Sequence, residues 1–259
     1  MIRRLAANPL CKILQISLDQ AIRVGLVSND MEEENKSTKP PLITIMGLGL
    51  ALAAPVLYTL FAEAILLSDQ SHTLLHIYMG LFVMWFLAVA VVLLTLWAEK
   101  RPLSSIGWKR PPQRLILLAV GLGVMFSIAV PALTILAGMI FPADESGSIE
   151  SVAQIPWLLM LVSIVTAGIT EEILCRGYAM ERLLDWTGSK WISSIISLVF
   201  FTVLHISGWN MAHIVGVVIP LGAAMIALYW WKRNLILVII VHIVINLPLV
   251  FLAFSGGEG

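Results

Sequence analysis

The residues of this chain best suited to chemistry are Glu171, Glu172 and Arg176, in the stretch Thr170-Glu171-Glu172-Ile173-Leu174-Cys175-Arg176. They follow a run, residues 151–170, that holds no Asp, Glu, Lys or Arg. An ionised side chain at membrane depth costs about 2.5–3.5 kcal/mol on insertion scales, so such residues face an interior or a wet cavity and mark function. At about 100° per residue, Glu172 and Arg176 stand nearly one above the other, in the Glu-before-Arg order that favours a helical ion pair. Glu171 points about 100° away, toward a different neighbour. The spacing predicts one carboxylate held by the arginine and one free for proton transfer. The same trio could instead be a buried ionic clamp between helices. Cys175 is expected to be a small apolar filler.

The elements that must position these groups are membrane helices. Only 12% of the 259 residues are charged and 59% are hydrophobic, with a mean hydropathy of +0.93; a soluble domain carries about 25% charge. The predicted class is all-α, a polytopic membrane helical bundle with the lipid bilayer as its surroundings. The formal net charge is zero, which gives no reason to expect a nucleic-acid partner. Two cysteines, Cys11 and Cys175, do not make a disulfide framework. No cleavable signal peptide is expected. Residues 1–30 have apolar positions at helical spacing and suggest a helix lying on the membrane surface, followed by a polar linker to Pro41.

Seven spans are predicted, at about 42–67, 73–98, 115–141, 155–184, 191–207, 211–231 and 235–254. Glu63 is expected at an interface and Pro131 is expected to kink the third span. The 41 residues from Trp191 to Trp231 lack formal charge, which is too long for one crossing of about 20 residues. The break is placed at Ser207-Gly208-Trp209-Asn210. Lys and Arg lie in the N-terminal segment, in the loop 99–114, at Arg182 and Lys190, and at Lys232 and Arg233, whereas the loops 68–72, 142–154 and 208–210 have none. That alternation predicts a cytoplasmic N-terminus and an outside C-terminus.

The fourth and fifth spans form a helical hairpin, with Gly188 suited to end one helix and Ser189 to cap the next. Glu171 is fourteen residues before Asp185 and His205 fifteen after Lys190, so both lie about 21–23 Å from the turn at 1.5 Å per residue. The hairpin therefore brings them to one depth. Phe201 and His205 are i,i+4 and share a face, where the ring could orient the imidazole. His205 alone could be a satisfied buried histidine. His242 and Asn246, again i,i+4, mark one face of the seventh span; an Asn can also simply bond between helices. His242 is nine residues from Arg233, about 13 Å by rise, nearly two turns shallower than the other pair. Helix tilt or a dipping loop has to close that gap. His72, His76 and His213 are expected to be structural.

Taken together, Glu-Glu-x-x-x-Arg at 171–176, Phe-x-x-x-His at 201–205 and His-x-x-x-Asn at 242–246, in order on successive spans, resemble the CPBP family. These are the CAAX-protease and bacteriocin-processing (Abi) membrane proteins, related to the type II CAAX prenyl endopeptidase. The resemblance covers about residues 150–250, and Leu103–Trp108 looks like a loop common upstream of that core. It implies three segments: an N-terminal cytoplasmic segment and linker (1–41), N-terminal transmembrane helices (42–149) and a catalytic core (150–254). It implies an intramembrane endopeptidase of the multi-pass plasma-membrane type, cutting a peptide or membrane-protein tail. In that role Glu171 activates water with help from His205, His242 and Asn246 bind the oxyanion, Glu172 belongs to the catalytic set, and Arg176 and Phe201 support it.

Peptide hydrolysis needs a base for water and donors where negative charge develops, which these residue types supply. Asn246 suits an oxyanion better than a metal. Glu171, His205 and His242 nevertheless also match the ligand types of some catalytic zinc sites. The expectation is no cofactor, with zinc as the alternative. A non-catalytic immunity or scaffold protein, or a proton-coupled carrier, would use similar buried groups.

Overall fold

The computed structural model describes residues 41–66, 73–141 and 154–256. The expected surface helix, Cys11 and His72 lie outside them, as does the side chain of Glu63. Among the described residues every regular element is helical. The described residues make seven apolar helices: α1 (42–66), α2 (73–98), α3 (Gln113–Gly138), α4 (Trp157–Thr187), α5 (Lys190–Val203), α6 (Met211–Lys232) and α7 (Leu235–Gly256). Six are long and apolar enough to cross a membrane. The protein is a polytopic helical bundle.

The seventh helix, α5, is the exception. It has 14 residues, a rise of about 21 Å against a hydrocarbon core of about 30 Å. The predicted break at 207–210 starts earlier, at Leu204. There the chain tightens into i→i+3 bonds, His205 N–H to the Thr202 carbonyl (3.0 Å) and Ile206 N–H to that of Val203 (3.2 Å). His205 therefore sits in a turn rather than on a helix. Asn210 restarts the chain as the N-cap of α6, its side chain accepting from His213 N–H at 3.0 Å. The hairpin before α5 is as expected: Gly188 has φ +65, and the Ser189 side chain accepts from Ile192 N–H at 3.3 Å. α3 continues through Pro131 to Gly138.

α4 is the central helix. In its most apolar stretch 56% of residues are buried, against 11% for α3, so α4 meets protein where α3 meets lipid. From Glu172 to Ala179 it has i→i+5 bonding, and every residue of that segment is buried. Such wide turns are rare and occur often at functional sites. Ile173, Met180, Phe201, Met225, Tyr229 and Val238 form the apolar packing that locks α4 to α5, α6 and α7.

One end of the bundle gathers the basic loops. Glu99, at the end of α2, accepts from Tyr178 Oη (2.8 Å), Arg182 Nε (2.8 Å) and Thr44 Oγ1 (3.2 Å). Arg182 also donates to Ser105 Oγ at 3.1 Å, and Arg101 pairs with Asp185. Glu181 accepts from Tyr229 Oη at 2.7 Å and pairs with Arg233. Leu235 N–H donates to the Gly107 carbonyl at 2.8 Å, and Asn234 Nδ2 to that of Lys109 at 3.0 Å. Gly107 is required there. Its φ is +77, and a Cβ would lie 2.7 Å from Tyr229 Oη, in a conformation and a space that suit only glycine.

Candidate active site

Glu172 and Arg176 are fully buried, and Arg176 Nη1 donates to Glu172 Oε1 at 3.2 Å. The predicted ion pair is present, though on wide i→i+5 turns rather than α-helical ones. Arg176 Cζ lies 3.9 Å from the centroid of the Phe201 ring, a cation–π contact at a desolvated position. The same Glu172 Oε1 takes a second donor, His242 Nδ1, at 2.8 Å. A carboxylate only accepts, so Nδ1 carries the hydrogen and Nε2 is the nitrogen left for other work. The Phe201 ring meets the His242 ring edge-on at 6.4 Å, so Arg176, Phe201, Glu172 and His242 pack as one unit.

His242 thus reaches the motif despite the shallower count. The count from Arg233 holds only if Arg233 is level with the hairpin turn, and its guanidinium pairs with Glu181 of α4, four residues short of Asp185. Glu181 is nine residues from Glu172 and Arg233 nine from His242 (181 − 172 = 242 − 233 = 9).

Glu171 makes no hydrogen bond to this unit and faces His205. Its Oε2 is 4.0 Å from His205 Nε2, with side-chain exposures of 14% and 20%. The hairpin register predicted from the sequence brings these two together. His205 Nδ1 is 2.8 Å from the Phe201 carbonyl oxygen, which can only accept, so Nδ1 carries a hydrogen and Nε2 is the nitrogen turned toward Glu171. The Phe201 ring flanks the imidazole at 4.6 Å between centroids. Glu171 Oε2 is buried with no hydrogen-bond partner among the described residues, and so are Glu172 Oε2 and Arg176 Nε and Nη2. Buried polar atoms are normally satisfied, by water where protein does not reach.

Asn246 ends the first half of α7, one turn beyond His242 on the same face, and is half-buried. Pro248 follows, and having no N–H it cannot bond the Val244 carbonyl, so the backbone ladder is interrupted beside Asn246. Cys175 is a buried free thiol in the apolar packing, the filler role expected. His213 stacks on Trp209 at 4.0 Å, and His76 is on α2. The residues that motif spacing does not reveal are Glu99, Tyr178, Glu181, Arg182, Tyr229 and Arg233. Their one sequence signal is Glu181-Arg182, a second charged pair inside the helix that carries Glu171. Arg182, counted as a loop cation for orientation, is buried on Glu99.

Among the described residues no three His, Cys, Asp or Glu side chains are grouped as a metal ion would require. His242 donates Nδ1–H to Glu172 and Glu171 faces His205, which leaves the Nε2 of His242 open.

Residues 153–248 match the protein family described as type II CAAX prenyl endopeptidase Rce1-like. No curated protein and no solved structure matches the chain. The matched segment runs from just before α4 into α7 and contains all of Glu171, Glu172, Arg176, Phe201, His205, His242 and Asn246. Residues 153–248, carried on a bundle with six membrane-compatible helices, are thus similar to the type II CAAX prenyl endopeptidases, which supports a place for this multi-pass membrane protein among the CAAX proteases.

Proposed function

We propose that the protein is an intramembrane endopeptidase that uses Glu171 and His205 to activate water, with His242 and Asn246 as oxyanion donors. The observation that carries this is the Glu171 Oε2–His205 Nε2 separation of 4.0 Å. It is too long for a direct hydrogen bond and fits one water held by both acceptors at about 2.8 Å each. Such a water spends both hydrogens on its holders and turns a lone pair outward. It attacks the scissile carbonyl as Glu171 takes a proton. With His242 doubly protonated, Nδ1–H on Glu172 and Nε2–H toward the substrate, the tetrahedral oxyanion receives hydrogen bonds from His242 Nε2–H and the Asn246 amide. Glu171 then returns the proton to the leaving amine, and the C–N bond breaks. Glu172 fixes His242 through Nδ1, and Arg176 balances the charge of Glu172.

The substrate is a peptide or the tail of a membrane protein, and the mechanism is metal-free. The catalytic core is residues 150–254, preceded by the helices of 42–149 and the segment 1–41. The basic end, which gathers Arg101, Lys109, Arg182, Lys190 and Arg233, is cytoplasmic by the positive-inside rule; α1 starts there and α7 leaves from it, which puts the N-terminus inside and the C-terminus outside.

The test compares membrane proteomes of cells carrying wild type and Glu171→Ala, followed by cleavage of the uncut chain by purified protein. Glu171→Ala is expected to abolish cleavage while folding normally, and a chelator is expected to leave the wild type active. Cleavage by Glu171→Ala would overturn the assignment, and chelator-sensitive cleavage would overturn the metal-free mechanism. Full complementation by Glu171→Gln and His242→Ala would point instead to a non-catalytic immunity or scaffold role.

A further inference from the structure

The contact between His242 and Glu172 depends on how deep α7 stands beside α4, and little else in α7 sets that depth. Residues 235–245 of α7 are apolar except for His242, and they pack on apolar side chains of α3 and α4. Apolar contacts in a bundle are non-directional, and helix shifts of 1–2 Å are common where helices pack. A helical register step is about 1.5 Å. A slip of that size would stretch the 2.8 Å His242–Glu172 bond beyond hydrogen-bonding range. It would carry Asn246 with it.

The opposite end of the same stretch is held by directional bonds. Arg233 is one of two described non-glycine residues with positive φ, at 42°, a strained conformation that persists where the surroundings over-determine it. It ends α6 and turns the chain into α7. From there its guanidinium pairs with Glu181 of α4, whose Oε1 also accepts from Tyr229 Oη at 2.7 Å. Glu181 is buried, 6% exposed, whereas Arg233 is 47% exposed. The carboxylate is therefore the fixed point and the arginine the reaching partner. The next two residues are pinned as well, Asn234 to the Lys109 carbonyl and Leu235 N–H to that of Gly107. Equal nine-residue arms lead from Glu181 to Glu172 and from Arg233 to His242.

We propose that the Glu181–Tyr229–Arg233 node is a positioning device that sets the depth of α7, so that His242 meets Glu172 and Asn246 stands beside the reacting carbonyl. The proposal rests on the peptidase reading for its effect on rate, but its structural claim is independent of it. Arg233 touches no reacting atom and acts through His242. Misplacing a catalytic group by about 1 Å can cost about 100-fold in rate.

The test has two readouts in the full-length protein. The first is depth. Gly168 of α4 faces Ile243 of α7, and a Cβ on Gly168 would lie 3.4 Å from Ile243 N, within reach of a disulfide. A Gly168→Cys/Ile243→Cys pair, with Cys11 and Cys175 replaced by Ala, is expected to cross-link readily under mild oxidation. Adding Arg233→Ala is expected to cut the rate of cross-linking at least fivefold, and Arg233→Lys to restore most of it. The second is catalysis in the native-cysteine background. Arg233→Ala is expected to lower kcat about 10–100-fold with KM changed less than about twofold, and Arg233→Lys to recover it. Tyr229→Phe, which keeps the ion pair and the packing, is expected to fall between, and it carries the test should Arg233→Ala fail to accumulate. Unchanged cross-linking and kcat in Arg233→Ala and Tyr229→Phe would overturn the proposal. A parallel loss of kcat and KM that Arg233→Lys does not rescue would also overturn it. If the wild type cleaves nothing, the peptidase reading falls, while the cross-linking result still decides whether the node sets the depth of α7.

Discussion

Replacing Arg176 with Met tests whether the interior of this bundle is organised by charge. Arg176 is wholly buried, bonded to Glu172 Oε1 at 3.2 Å and seated 3.9 Å from the Phe201 centroid. Met keeps much of the volume and removes the cation. Glu172, also wholly buried, would then keep His242 as its single partner. Removing one member of a buried pair costs about 3–5 kcal/mol because the remaining charge is uncompensated. The lost cation–π contact adds about 1–2 kcal/mol at a desolvated site. The expected loss of about 4–7 kcal/mol is a large share of the roughly 5–15 kcal/mol that holds a typical protein folded. The double variant Glu172→Gln/Arg176→Met removes both charges and should recover about 2–4 kcal/mol of that loss, without recovering cleavage, since His242 loses its charged partner. The assay is reversible unfolding in mixed micelles for the wild type, both single variants and the double, read as a double-mutant cycle. An Arg176→Met protein as stable as wild type, or a double variant no more stable than either single, would refute the reasoning.

Two further outcomes follow from the site and its packing. Asn246→Ala should lower kcat about 100–1,000-fold with little effect on KM, the loss typical of one oxyanion donor, measured on whichever chain accumulates uncut in Glu171→Ala cells. Gly168→Val would drive its side chain into Ile243, where a Cβ already lies 2.5 Å from Cγ1. Overpacking of this kind costs about 1–3 kcal/mol. The variant should also lose activity by parting α7 from α4, and thermal unfolding with cleavage checks both.

The sequence made part of the site legible because a tight hairpin is a ruler. Glu171 and His205 are counted from the same turn, errors in rise largely cancel between two adjacent helices, and the structure brings the two side chains together. His242 could not be measured that way, because the start of α7 relative to α4 is set by the Glu181–Arg233 pair. That pair joins residues far apart in sequence, and no local spacing encodes it. The end of α5 is likewise not legible in the sequence. Leu204, His205 and Ile206 would suit a continued helix, yet the chain turns after Val203. Glu99 and Arg182 looked like loop and interface charges because charge in a sequence carries no mark of burial.

The sequence alone determined that this is a helical membrane protein, where its helices run, and which few polar groups are costly enough in lipid to need a purpose. These are one-dimensional properties: hydropathy, period and count. Tertiary structure decided which distant side chain each carboxylate meets. Glu172 was taken by Arg176 and by a histidine 70 residues away, while Glu171 was left with one unpartnered oxygen facing His205. Adjacent residues with identical side chains differ only in direction, and direction acquires meaning when other helices arrive to meet it.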